Sequence, residues 1–590
     1  MQFQENWSWD LIKTQIKQDG LVKHQIESFD DFVLNTIPSI IRETPAIVVD
    51  NGEQEYSIKF DNGFITRPGT VEQDGFHELT PHQARLRNLT YNGSLYMDAK
   101  HVVKNKATGQ IVSQETEKIL LAKIPIMVMS ELCNLHSKTK EERVGTFECQ
   151  FDEGGYFIVK GGEKVIVAQE KMANNQIYVF ENKAGGMQAE VRSCMENSSK
   201  SASQFIVKMV HNKKTNTENL IRVVFSSTKK EVPLFIFMKA LGLNSNDEVL
   251  ERFVDIDINF LESSIEEGWS VKNSESAINW IFKRDQTFGA VQDWVRYLND
   301  DVLPHLNEIE NRQSEKTYFI GLMVRKLWRT MTGKRNLDDR DHFGMKRLDL
   351  TGTLLTSLFK MRFIKFIQRQ KPLWEKKMLN CRIISIGPDI ELNTITREIQ
   401  YALSTGNWGI SKQRVTKTGV SQQLTRLTYA ATLSNLRKMV APMAKEGKQI
   451  KPRQIHYSSF SKTCPHETPE GAPVGLVKNL SILSHVSVPS RLDYIEIIRN
   501  EINFLDRNVS GYRVIVNGFW LGNVNESLQV RSKLRKLRFD GIIPFDCSIV
   551  VNNLDNEIRL LTDAGRCCRP LLVVENNKIF CLFFIINFIN

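Results

Sequence analysis

Apolar positions set the first expectations. Leu11, Ile12, Ile16, Leu21 and Ile26 recur at mixed helical spacing, so residues 8–42 read as helix. From 45 to 180, strand-like runs alternate with turns. YFIVKGGEKVIVAQE (Tyr156–Glu170) reads as two β-rich runs about a Gly161-Gly162 turn, a hairpin. Residues 186–312 mix the strand patterns SQFIVKMV and LIRVVF with the helical patterns SESAINWIFKRD and GAVQDWVRYLND. The latter place Trp280, Val291, Trp294 and Leu298 on apolar faces, as core rather than ligand platforms. Residues 317–331, 353–369 and 420–438 are further helical patterns. After 485 strands alternate again, with a helix near 526–538. No internal repeat and no Ser- or Pro-rich linker interrupts the pattern.

The last apolar run, IFCLFFIINFIN from Ile579 to Asn590, is shorter than the roughly 20 residues that a spanning helix needs. No membrane partner is expected. The N-terminus, MQFQENWSWDLIK, has no basic stretch leading into an apolar one, so the reading is a non-secreted chain. Sequons such as Asn88–Thr90 are then chance, and the thiols are expected to be reduced.

The 590 residues are 41% hydrophobic and 25% charged, a globular composition with room for several domains. Nine scattered cysteines with no C-x-x-C pair exclude an ordinary zinc finger. The formal charge is +10, and it is local. Residues 403–480 hold twelve Lys or Arg (Lys412, Arg414, Lys417, Arg426, Arg437, Lys438, Lys445, Lys448, Lys451, Arg453, Lys462 and Lys478) against Glu446, Glu467 and Glu470. A cationic excess interleaved with Gly, Pro, Gln, Ser and Tyr favours a phosphate-backbone surface over a merely solvated face.

Other candidate chemistry is weaker. VKGGEKV lacks the phosphate-loop spacing, and Val165 follows Lys164 where that loop needs Ser or Thr. NLDDRDHFGMKRLDL gathers Asp338, Asp339, Asp341 and Asp349. These acids could serve a two-metal nuclease, but Arg340, Lys346 and Arg347 favour an internal ion-pair network. Cys464 and His466 lack a second ligand pair, which favours a packed cysteine in a turn. No G-x-S-x-G elbow supports a hydrolase.

KPRQIHYSSFSKTCPHETPEGAPVGLVKNLSI (Lys451–Ile482) resembles the second-largest, beta-type subunit of multisubunit DNA-dependent RNA polymerases. So do LVKHQIESFDDFV, GGYFIVKGGEKVIVAQEKMANNQIYVF, DDRDHFGMKRLDLTGTLL, LSTGNWG, GVSQQLTRLTYAATLSNLRK, VNGFWLGN and LLTDAGRCCRPLLVVE, in the family's order. The resemblance is closest to the eukaryotic, archaeal and large-DNA-virus form. It implies an α+β, multidomain fold with a discontinuous protrusion interrupted by a lobe, then a fork and a partial external domain. The implied boundaries are protrusion 1–185 and 331–402, lobe 186–330, fork 403–485, external domain 486–578 and an atypical tail 579–590.

The resemblance further implies DNA-templated RNA synthesis in which this chain contributes no catalytic residue. Magnesium would sit on the largest subunit, whose N-A-D-F-D-G-D signature is absent from this sequence. Other expected partners are smaller polymerase subunits, template DNA and the RNA–DNA hybrid. Gln422, Arg437, Lys438, Lys445, Lys448, Lys451, Arg453, Lys462 and Lys478 would face nucleic acid. Glu467, Thr468, Pro469, Glu470 and Gly471 would shape a loop beside the active centre, and no metal is expected in this chain. The compartment implied is the nucleus, or a cytoplasmic viral factory or virion. About half of a full-length member, including a C-terminal zinc-binding cysteine cluster, has no counterpart here. The tail reads as translation past an exon boundary or a frameshift, with a split subunit continued by a second polypeptide as the rival. A non-catalytic nucleic-acid-binding or assembly protein derived from such a subunit is the alternative function.

Overall fold

The computed structural model describes residues 5–50, 54–106, 108–182, 185–195, 202–212, 217–226, 228, 230–253, 256–285, 289–307, 312–379, 394–409, 417–443, 446–447, 449–490, 492–507, 509–575 and 578–583. Lys445 and Lys448 of the expected interface, and the tail residues 584–590, lie outside them. Helices and sheets mix throughout, as an α+β chain requires, and the contacts separate two units.

The first unit comprises Met1–Lys171, Lys346–Pro489 and Ala564–Pro570. The helical N-terminus forms Glu5–Asp19, Lys23–Asp31 and Ile37–Glu43, broken at Gly20, whose φ is +66°. Behind it lies an antiparallel sheet of Ile47–Asp50, Gln54–Ile65, Asn92–Asn105 and Ile111–Pro125, in chain order. Phe29, Phe32, Phe60, Phe157, Phe359 and Phe363 are buried between these elements and the long helix Thr351–Leu379.

Buried polar groups tie this discontinuous unit together. Gln25 donates to the carbonyls of Ile166 (3.4 Å) and Leu436 (3.5 Å) and accepts from the Thr351 hydroxyl (2.5 Å). Gly352 N–H donates to Ser28 Oγ at 3.0 Å. A Cβ on Gly352 would lie 1.8 Å from the Ser28 carbonyl oxygen. Gly352→Ala is therefore expected to destabilise this unit by about 1–3 kcal/mol, read as a lower thermal midpoint.

The expected hairpin forms, Phe157–Val159 against Gly162–Ile166, but its turn is shifted by one residue. Val159 pairs with Gly162, so Lys160 (φ +51°) and Gly161 (φ +76°) make the two-residue loop with the twist hairpins favour. The helix expected over 420–438 is confined to Tyr429–Leu436. Ser421–Gln423 instead adds a third strand to the hairpin. That strand satisfies the hairpin's open edge, a pairing no local pattern encodes.

The second unit comprises Met172–Met345, Ser490–Asp563 and Leu571–Asn590. One five-stranded antiparallel sheet runs Tyr178–Glu181, Met187–Ser193, Ser203–Asn212, Thr217–Phe225 and Val232–Pro233. Another sheet orders Phe519–Val524, Tyr512–Val516, Glu557–Leu561 and Ser548–Asn552. Trp294 and Leu298 are buried as expected, whereas Trp280 is half-buried under Arg284. The start of the final apolar run is a strand, Lys578–Phe583, antiparallel to Leu571–Glu575.

Candidate nucleic-acid interface

Four short strands from distant parts of the sequence build the platform of the basic segment. Their order is Lys346–Asp349, Ala168–Met172, Lys438–Val440 and Val477–Asn479. Met439 pairs with Lys478 on one side and in parallel with Ala168 on the other. Alternation then places Glu170 and Lys478 on one face. There Glu170, itself buried, takes Lys478 at 2.7 Å and Lys346 at 3.5 Å. Asp349 pairs with Lys171 (2.5 Å) and Lys417 (3.6 Å).

The stretch CPHETPEGAPVG closes on itself above this sheet. Cys464 N–H donates to the Asn479 carbonyl at 2.9 Å. The Thr468 hydroxyl donates to the Val477 carbonyl (3.0 Å) and accepts from Gly475 N–H (2.9 Å). Glu467 accepts from the Ser434 hydroxyl. Arg453 donates to the carbonyls of Ala472 (2.5 Å) and Val474 (3.1 Å). Gly475 has φ +71°, and a Cβ there would sit 2.2 Å from the Arg453 carbonyl oxygen, so only glycine fits that crossing. Pro469, Glu470 and Gly471 are exposed at the loop's tip.

This geometry corrects part of the expected cation set. Arg437 is 8% exposed. It donates to the carbonyls of Leu21, Ser481 (2.5 Å), Ile482 (3.2 Å) and Ser484 (3.4 Å). Burial, uncompensated by any carboxylate, pulls its guanidinium down to about 10. Arg437 is thus a clamp on backbone, not a free phosphate contact. Lys462 is also buried, and burial lowers its ammonium. Lys478 is committed to Glu170 and Arg453 to the loop. Gln422 lies in the strand Ser421–Gln423 and donates to the Gly419 carbonyl at 3.2 Å. Lys438, half-buried, and Lys451, exposed, are the two of the set whose side chains carry no ion pair or hydrogen bond among the described residues.

The aspartates of this cluster have partners within the protein. Asp338 accepts from Arg335 (2.6 Å) and from Val179 N–H (2.7 Å), and Asp339 accepts from Asp341 N–H (2.9 Å). Arg340 lies 3.7 Å from the Phe180 ring centre. Among the described residues, the one trio of carboxylate, imidazole or thiolate atoms within 4.8 Å of one another is the exposed Glu72, Asp74 and His77. Asp338, Asp339, Asp341, Cys464 and His466 are not in it. Two of the basic residues expected to neutralise the cluster reach other segments, Arg340 to Glu190 at 3.6 Å and Lys346 to Glu170 at 3.5 Å. Arg347, read from the sequence only as a partner for the aspartates, and Arg566, which sequence reasoning passed over, are both 1% exposed. Only their burial marks them, and no local pattern carries that signal.

The protein-family model for the RNA polymerase beta subunit matches residues 20–397. The chain belongs to that family. Within the RNA polymerase beta subunit family, the models of domain 3 and domain 4 match residues 422–486 and 514–575. Every residue of the expected interface and loop falls inside the domain 3 match. The chain is 36% identical over 97% of its length to DNA-directed RNA polymerase II subunit 2 of Arabidopsis thaliana, of which it covers 51%. It is 36% identical to subunit RPB2 of Schizosaccharomyces pombe (96% of this chain, 51% of the relative). With the archaeal subunit Rpo2 of Sulfolobus acidocaldarius the identity is 30%, over 96% and 51%. The chain thus spans about half the length of the curated relatives it matches. Among the described residues, no helix is long and apolar enough to cross a membrane.

Proposed function

We propose that this chain is the N-terminal half of the second-largest subunit of a DNA-directed RNA polymerase, and that it acts by shaping and neutralising the nucleic-acid channel. The observation that carries this reading is the co-linear match of residues 20–397, 422–486 and 514–575 to successive domains of one family. The chain brings positioning and positive charge. Magnesium and the bond-making carboxylates belong to a larger partner subunit. Smaller subunits, the template DNA and the RNA–DNA hybrid complete the assembly, and the family's zinc-binding cysteines lie in the other half. Relatives named as RNA polymerase II subunits support a nuclear compartment for this reading; a virus-encoded version would work in a cytoplasmic factory.

The free cations make the reading testable. Lys451→Ala is expected to lower the slope of log K against log salt by about 0.7–0.9 for binding to an RNA–DNA hybrid on its template strand. The thermal midpoint should stay unchanged, because Lys451 is exposed and unpaired. Lys438→Ala should act in the same direction. Filter binding across a salt series checks both. A tag on the chain in its source should also co-purify a larger polypeptide bearing the N-A-D-F-D-G-D signature.

A further inference from the structure

The helix Ser527–Phe539 (SLQVRSKLRKLRF) holds five cations and no acid. Ser527, Leu534 and Leu537 are its buried side, which packs on the strand Ser548–Asn552. On the opposite side Leu528, Arg535 and Phe539 follow at i, i+7 and i+11, one stripe along a 3.6-residue helix. Leu528 is 69% and Phe539 49% exposed, and Ile542 (45%) and Phe545 (42%) continue the apolar surface beyond the helix end.

Two of the five cations are engaged and three are not. Lys533 reaches Glu501 at 3.4 Å, and Arg538 donates to the Cys547 carbonyl at 2.9 Å. The side chains of Arg531, Arg535 and Lys536 have no ion pair or hydrogen bond among the described residues. Glu526 and Asp540, at the two ends of the helix, pair with none of them. Burial, then repulsion from Arg531 one turn away, lowers Arg535. A merely solvated helix gains from opposite charges at i+4, whereas this one stacks like charges there.

We propose that this face docks an acidic amphipathic protein segment, its carboxylates on Arg531, Arg535 and Lys536 and its apolar side chains on Leu528 and Phe539. Arginine forks bind carboxylates in pairs. A nucleic-acid backbone would satisfy the cations but leave four large apolar side chains facing water, the pattern of a protein-docking patch. The inference rests on the second unit alone and stands independently of the polymerase reading.

The test uses the full 590-residue chain and fluorescence anisotropy. The probes are a labelled peptide alternating Glu with Leu and Phe, a polyglutamate peptide of equal charge, and single-stranded DNA. The mixed peptide is expected to bind about tenfold tighter than polyglutamate. Arg535→Glu with Lys536→Glu should weaken it about tenfold. Arg535→Gln with Lys536→Gln, which cannot clash, should weaken it in the same direction, and Phe539→Ser should erase the preference over polyglutamate. Lys272→Glu, exposed and outside both the helix and the candidate nucleic-acid interface, should change nothing, and an unchanged thermal midpoint certifies folding of each variant. Equal binding of all three probes, or binding indifferent to the helix variants, overturns the proposal.

Discussion

Glu557→Ala is expected to destabilise the second unit by about 3–5 kcal/mol. Glu557 is fully buried on the strand Glu557–Leu561. Its carboxylate lies 3.0 Å from Lys326 on the helix Arg312–Met331 and 2.5 Å from Arg559. Around it Arg335 reaches Asp555 at 3.2 Å and Asp338 at 2.6 Å. Burial would raise the Glu557 carboxyl, but Lys326 and Arg559 overcome it and hold the group well below the usual carboxylate range. A carboxyl depressed in the folded state adds stability above its unfolded value of about 4.3 and loses it as pH falls. Acid should therefore loosen this unit, and Glu557→Gln should remove part of that pH dependence. Truncation leaves Lys326 buried without its partner. Adding Lys326→Met should recover much of the loss, since an apolar replacement of a buried pair is often neutral. Hydrogen exchange of the strand Glu557–Leu561 reads the effect, and unchanged protection in Glu557→Ala would contradict it.

Arg437→Ala is the second large effect. Its guanidinium serves carbonyls at Leu21, Ser481, Ile482 and Ser484, joining the N-terminal helices to the segment after the loop. Each buried acceptor left unpaired costs about 1–3 kcal/mol, although water entering the gap would relieve some of it. The expected loss is about 2–4 kcal/mol of stability in the first unit. Its signature differs from that of Lys451→Ala. The thermal midpoint falls, while the salt slope of nucleic-acid binding at a temperature where the variant is folded stays at the parent value. Arg437→Lys should not rescue it, because one ammonium cannot reach the carbonyls a planar fork reaches. A reduced salt slope with an unchanged midpoint would return Arg437 to the phosphate contacts.

Much of this architecture was legible in the chain, and the limits are physical. Long amphipathic patterns located the helices Arg312–Met331 and Ser527–Phe539, and β-rich runs about glycine located the hairpin near residue 160. The segment holding the candidate interface was legible twice, as a local cationic excess and as a family motif, and the domain 3 match covers it. Which cations are free was not legible. Arg437, Lys462 and Lys451 look alike in sequence, and only carbonyls and carboxylates supplied by distant segments separate clamp from contact. Ser421–Gln423 was misread because its strand partner, Gly162–Ile166, is remote, and pairing there overrides local helical periodicity.

RNA-primer extension on a DNA template, with magnesium and nucleoside triphosphates, tests the central claim most directly. It is run on the purified 590-residue chain and on the native complex isolated through that chain. Extension by the complex and none by the chain alone is the predicted result. Extension by the chain alone, or a native complex that extends nothing, would contradict a non-catalytic half-subunit of an RNA polymerase.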